Sequence, residues 1–76
     1  MDTFEFNLDE ITDVELSIFN LQGQLMRKLN YDQLLTGEQY LSWDGKNEKG
    51  ISAKSGIYFY QINIGDRNYN GKIIKN

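Results

Sequence analysis

The sequence contains no cysteine, no histidine and no proline among its 76 residues. The first two absences exclude disulfide bonds, thiol chemistry and the commonest zinc ligands. A chain of this length buries only about 60% of the surface that its unfolded form exposes, so one compact core must supply its stability. One Trp, five Tyr and four Phe are available for that core. We interpret residues 1–76 as a single domain that uses no cofactor.

Long apolar runs and basic clusters are also missing. The longest clear apolar run, residues 57–60, is far shorter than the roughly 20 residues of a membrane-spanning helix. The formal net charge is −3, and six acidic residues precede the first basic residue, Arg27. This charge argues against a nucleic-acid partner, because phosphate binding requires a basic surface. The first ten residues also lack the basic and apolar regions of a signal peptide.

Apolar residues recur at every second position, which is the period of a β-strand with one buried face. The alternation is clearest in four segments, residues 4–8, 14–18, 41–43 and 58–64. Phe19, Ile57 and Phe59 stand where this pattern expects polar residues. They indicate either a second covered surface or the ends of strands.

Turn residues separate the predicted strands. Asn20 and Gly23 occupy the first and fourth positions of a type I turn, so residues 14–19 are expected to pair with residues 24–29. Asn47 and Gly50 repeat that spacing, and residues 65–68 are expected to join the strand 56–64 to a last strand near 69–74. We interpret residues 31–37 as a loop with one helical turn.

These elements predict an all-β fold, an immunoglobulin-like β-sandwich of about seven short antiparallel strands. Trp43 is expected in the core opposite the strand of Tyr58, while Asp44 and Gly45 form a turn. Tyr58 begins a run of inward residues that is typical of the tyrosine-corner strand in immunoglobulin-like folds.

Three stretches resemble a known family: VELSIFNLQGQLMRKL at 14–29, LSWDGKNEKGISAKSGIYFYQI at 41–62 and GKIIKN at 71–76. Together they resemble the type A C-terminal sorting domain of proteins exported by the type IX secretion system. The family motif falls on residues that we expect to be structural first, namely Gly23, Trp43, Asp44, Gly45, Gly50, Gly56 and Tyr58.

The resemblance implies a secretion signal without catalytic function. It implies an upstream cargo domain, covalently linked, that the translocon carries through the periplasm and across the outer membrane. A sortase-like peptidase would then remove the domain and attach the cargo to the cell surface, so the expected localisation is secreted or cell-surface. No small-molecule substrate is expected. The expected recognition element is a terminal edge strand that contains Lys72, Ile73, Ile74 and Lys75.

Two other binding functions stay open. The immunoglobulin-like domain of flagellar hook-capping proteins shares the pattern from Trp-Asp-Gly to Gly-x-Tyr, which would make the chain a structural module. Tyr31, Tyr40 and Tyr69 would stack on sugars if they were exposed together, as in a carbohydrate-binding accessory module.

Catalytic and metal sites are weakly supported. Asp9, Glu10, Asp13 and Glu15 offer carboxylates for acid–base chemistry, but the sequence has no histidine or cysteine to accompany them. Calcium favours oxygen ligands such as those of Asp44, Asn47 and Glu48, yet the spacing does not match an EF-hand. We therefore predict no catalytic residue and no bound metal.

Overall fold

The computed structural model describes residues 3–34 and 36–76, and within them the chain is an antiparallel all-β fold. Its six strands are β1 (Thr3–Leu8), β2 (Thr12–Phe19), β3 (Leu25–Leu34), β4 (Gly37–Ser42), β5 (Gly56–Ile64) and β6 (Arg67–Lys75). The predicted fold class is confirmed, with six strands in these residues where about seven were expected. No helix in the same residues is long and apolar enough to cross a membrane. Met1 and Asp2 lie outside the described residues, and the interpretation of residues 1–76 as a single domain stays a prediction.

The strands form two sheets of unequal size. One contains β1 and β4, and the other has the order β3-β2-β5-β6. Three of the connections between consecutive strands pass from one sheet to the other, whereas β2–β3 and β5–β6 are hairpins. The four-stranded sheet therefore has β3 and β6 at its edges, and a two-stranded sheet faces it.

The core lies between the sheets and centres on β2. Val14, Leu16 and Ile18 alternate along this strand and are at most 2% exposed. Leu41 of the smaller sheet belongs to the same cluster, as do Trp43, Ala53, Tyr58, Ile62 and Ile73. The period-two pattern of the sequence thus identifies the buried face, because successive side chains of a strand point to opposite sides.

The predicted β2–β3 hairpin is confirmed. Leu16 pairs with Leu29, and the backbone N–H of Gly23 donates to the carbonyl of Asn20 at 3.0 Å. The Asn20 side chain accepts hydrogen bonds from the backbone of Gln22 and Gln24, at 3.0 and 2.9 Å. Gly23 has a φ of 83°, a conformation that glycine adopts without steric cost.

The interpretation of residues 31–37 as a loop with a helical turn is wrong. Tyr31 to Leu34 complete β3, Gly37 begins β4, and Leu35 lies outside the described residues. The register shifts here, because Val14 pairs with Tyr31 while Thr12 pairs with Leu34. The one extra residue on β3 forms an irregularity in which Gln33 has a φ of 52° and donates its N–H to Asp13 Oδ1 at 2.9 Å. Such a bulge interrupts the alternation by which a strand is recognised in a sequence.

Gly71 lies in the middle of β6 under the ring of Tyr60, its cross-strand partner. A Cβ atom at Gly71 would lie 2.6 Å from the Tyr60 hydroxyl and 2.7 Å from its ring. Tyr60 also makes an edge contact with Phe4 of the other sheet, with ring centroids 4.7 Å apart. The absence of a side chain at Gly71 therefore permits an aromatic contact between the two sheets.

Gly71→Ala is expected to lower the free energy of unfolding by about 1 to 3 kcal/mol, because the Tyr60 ring must move. Urea unfolding measures the change. Asn70→Ala is the matched control, since Asn70 is the exposed neighbour of Gly71 on the same strand. Equal free energies of unfolding for Gly71→Ala and Asn70→Ala would show that the Tyr60 ring moves without a loss of stability.

Candidate protein-contact surface

Trp43 and Tyr58 form the aromatic centre of the core. Trp43 is 2% exposed, and its ring meets that of Tyr58 edge-on at 5.3 Å between centroids. The indole N–H donates to the carbonyl of Lys46 at 2.9 Å. The Tyr58 hydroxyl donates to the carbonyl of Lys54, four residues upstream, at 2.6 Å. This is the geometry of a tyrosine corner in immunoglobulin-like domains.

The loop after Trp43 uses its side-chain oxygens to hold its own backbone. Asp44 accepts the N–H of Lys46 at 3.0 Å and lies 3.7 Å from the guanidinium of Arg27. Asn47 accepts the N–H groups of Lys49 and Ile51, at 2.9 and 3.0 Å. A carboxylate oxygen of Glu48 accepts the N–H of Lys28 on β3. The oxygens considered for calcium therefore already have partners within the chain.

Four glycines of the family motif lie in turns or at the start of a strand, in a backbone conformation that glycine adopts most readily. Positive φ values of 83°, 78°, 79° and 149° occur at Gly23, Gly45, Gly50 and Gly56. In residues 3–34 and 36–76, no group of three or more Asp or Glu side chains is placed to hold a metal ion.

Millimolar calcium is expected to leave the melting temperature unchanged, because turn hydrogen bonds already satisfy this loop. Differential scanning calorimetry in calcium and in magnesium measures it. A rise that is specific to calcium and lost in Asp44→Ala would contradict the prediction.

The four carboxylates considered for catalysis are dispersed. Asp9 and Glu10 are exposed in the turn after β1. Asp13 accepts the N–H of Gln33, and Glu15 lies on β2, 3.5 Å from the ammonium of Lys28. Each is therefore explained by a turn, a bulge or an exposed strand face.

The three tyrosines considered for sugar stacking lie in different places. Tyr31 is on β3 and packs against the core, and Tyr69 is on β6 at the opposite edge of the same sheet. Tyr40 lies on β4 of the smaller sheet. These rings do not share one platform.

Tyr40 lies in an acidic environment on the outer face of the smaller sheet. Its hydroxyl donates to Glu38 at 2.6 Å, and its cross-strand neighbour is Glu5. The pKa of Tyr40 is raised above the ordinary value of tyrosine, first by the hydrogen bond to Glu38, then by loss of hydration and by the negative charge of Glu5.

The terminal strand is an edge strand, as expected, but its residues divide between two faces. Ile73 is 2% exposed and belongs to the core, so it is not available to a partner. Lys72 and Ile74 point to the outer face, where Ile74 is 60% exposed. Lys75 is half-buried. Only Lys72 and Ile74 are thus placed for contact on that face.

A group of apolar side chains covers one end of the outer face of the four-stranded sheet. Leu25 pairs with Phe19, Phe19 with Phe59, and Ile57 with Ile74, so all five lie on the same face. We call Phe19, Leu25, Ile57, Phe59 and Ile74 the outer apolar surface. Four of the nine exposed large hydrophobic residues in the described part of the chain belong to it. The exposed apolar residues are therefore concentrated, which is typical of interaction sites.

The other end of the same face is polar. Glu15 pairs with Asn63 and Asn30, and Gln61 pairs with Asn70. Lys72 pairs with Phe59 and places a cation beside the outer apolar surface. The face thus combines an apolar area with the cation of Lys72 beside it and with the ion pair of Glu15 and Lys28 at its polar end. The sequence signal for it was the apolar residues at positions 19, 57 and 59, where alternation expects polar ones.

The fold and the tyrosine corner define the chain as an immunoglobulin-like domain. The model of the FlgD Ig-like domain family matches residues 2–68, so the chain belongs to that family. The crystal structure of FlgD from P. aeruginosa is similar, with a TM-score of 0.64 and 26% sequence identity. That match covers 93% of this chain and 58% of the FlgD chain. No curated protein sequence matches.

The identification as a type IX sorting domain is wrong. The family match replaces it with the hook-capping relationship, and the expected translocon, sortase-like peptidase and exported cargo are withdrawn with it. The physical reason lies in the motif. Trp43, Asp44 and Tyr58 pack the core or fix turns, so their pattern reports an immunoglobulin-like architecture that both families use.

Proposed function

We propose that the chain is the immunoglobulin-like module of a flagellar hook-capping protein and acts by contact with hook subunits, without catalysis. Membership in the FlgD Ig-like domain family supports this proposal, because that family is structural. Its localisation would then be extracellular, at the growing hook.

The outer apolar surface is the main support for the proposed contact with hook subunits. Phe59 and Ile57 are 41% and 39% exposed in a sheet whose opposite face already supplies the core. Burial of such side chains against a partner removes apolar area from water, at about 25 cal/mol per Å². Lys72 beside them favours a partner with a carboxylate at the margin of the contact.

Phe59→Ser and Ile74→Ser are each expected to weaken binding to purified hook subunits by about tenfold or more, because both side chains are exposed on the outer apolar surface. Cosedimentation with hook polymers, or calorimetry with soluble subunits, measures the affinity. Ile11→Ser is the matched control, because Ile11 is 59% exposed and Ile74 is 60% exposed, but Ile11 lies outside the outer apolar surface.

Thermal unfolding of each variant verifies that it is folded before its affinity is compared. If the unmodified chain shows no affinity for hook subunits, the proposal is wrong. If Ile11→Ser weakens binding as much as Ile74→Ser does, hook contact stands but the assigned surface is wrong.

A further inference from the structure

In the described residues, both strands of the smaller sheet have an open edge, and that of β1 lies beside a groove. Within the described residues β1 pairs with β4 alone, so the backbone along its other side has no neighbouring strand. Two strands face four, and the part of the larger sheet beyond β1 is not covered by a strand. An open edge is a template for the addition of another strand.

A groove of about 520 Å³ lies beside this edge. It is lined by residues of β1, β5 and β6 and by none of β4, namely Phe4, Glu5, Phe6, Asn7, Tyr60, Ile62, Ile64 and Tyr69. Phe4, Phe6, Tyr60 and Ile64 are only partly buried, and Tyr69 is 49% exposed. A strand added to β1 would direct every second side chain into this groove, where the aromatic and aliphatic side chains of β1, β5 and β6 lie, since strands have a period of two.

The open edge of β1 carries one negative charge. Glu5 is the only charged residue of this strand, whereas Asp9 and Glu10 lie in the turn after it, in a cleft that Arg67 of β6 also lines. Glu5 and Glu38 lie on the outer face of the smaller sheet, on neighbouring strands. A side chain placed next to Glu5 on an added strand would therefore be favoured if it were positive.

We infer that the open edge of β1 accepts an extended segment of a protein partner in which large apolar residues alternate with lysine or arginine. The apolar residues fill the groove, and the basic residues lie beside Glu5. A second copy of the chain fits less well, because β1 paired with its copy would bring carboxylates into one ladder. This surface is separate from the outer apolar surface, so the inference goes beyond the proposed function.

The test uses a capped peptide in which isoleucine and lysine alternate, titrated into the ¹⁵N-labelled chain. Amide signals of β1 and of the groove residues on β5 and β6 are expected to shift, and β1 amides are expected to gain protection from hydrogen exchange. Two control peptides separate the contribution of charge from that of backbone pairing. One replaces lysine by glutamate, and the other carries N-methyl groups along one backbone edge and cannot complete the ladder.

Glu5→Lys is the corresponding charge reversal in the protein itself. It is expected to weaken binding of the lysine peptide by roughly fivefold or more and to strengthen binding of the glutamate peptide, given the usual size of cross-strand charge pairs. Glu10→Lys is the control, because Glu10 lies in the turn after the strand.

Three results would overturn the inference: equal binding of the N-methylated peptide, an affinity that Glu5→Lys does not alter, or shifts confined to β3 or the outer face of the larger sheet. Sedimentation of the protein without peptide tests whether a second copy of the chain occupies the edge. A dimer that Glu5→Lys stabilises would assign the edge to a second copy instead of a partner.

Discussion

Trp43→Ala is expected to lower the free energy of unfolding by about 3 to 5 kcal/mol, a large share of the stability of a small domain. Trp43 is 2% exposed, contacts the ring of Tyr58 and donates its indole N–H to Lys46. The substitution removes the packing and leaves a cavity at the centre of the core. Chemical denaturation followed by circular dichroism measures the loss.

Trp43→Phe separates packing from hydrogen bonding, because it keeps an aromatic ring but loses the indole N–H. The free energy of unfolding of Trp43→Phe is expected to lie between those of the parent and of Trp43→Ala. Tyr40→Ala provides a surface control, since Tyr40 is 58% exposed. Fluorescence of the folded parent offers an independent check, and an emission maximum typical of indole in water would contradict the burial of Trp43.

Ile73→Ala is expected to cost about 2 to 5 kcal/mol, whereas Ile74→Ala is expected to change stability by less than about 0.5 kcal/mol. The two residues have the same side chain and are adjacent on β6, but Ile73 is 2% exposed and Ile74 is 60% exposed. Ile73 pairs with Tyr58, so its loss also loosens the aromatic centre of the core. Urea unfolding of both variants measures the difference.

Similar stabilities of these two variants would contradict the register of β6. Deletion of Lys72 to Asn76 is expected to be at least as costly as Ile73→Ala, because it also removes the pairing of Lys72 with Phe59 and of Ile74 with Ile57. The terminal strand therefore supports the fold through Ile73.

Local patterns predict much of the fold. The alternation around Leu16 identifies the central strand, and the spacing from Asn20 to Gly23 identifies a hairpin, because both reflect interactions within a few residues. The extension of β3 to Leu34 could not be predicted in this way. The bulge at Gln33 depends on a hydrogen bond with Asp13, which is distant in sequence.

The candidate surface was only partly predictable. Apolar residues at Phe19, Ile57 and Phe59 indicated a second surface, but their union with Leu25 and Ile74 requires the strand order. The role of Gly71 depends on the cross-strand ring of Tyr60, and a sequence does not reveal that contact. The type IX interpretation failed because motif residues that build the core carry no information about the partner.

We propose that the outer apolar surface binds a protein. The most direct test is titration of the ¹⁵N-labelled chain with soluble hook subunits, and separately with oligosaccharides. The hook subunits are expected to shift or broaden the amide signals of Phe19, Leu25, Ile57, Phe59 and Ile74, whereas the sugars are expected to leave these signals unchanged. Sugar-dependent shifts at Tyr31, Tyr40 or Tyr69, with no response to hook subunits, would contradict it.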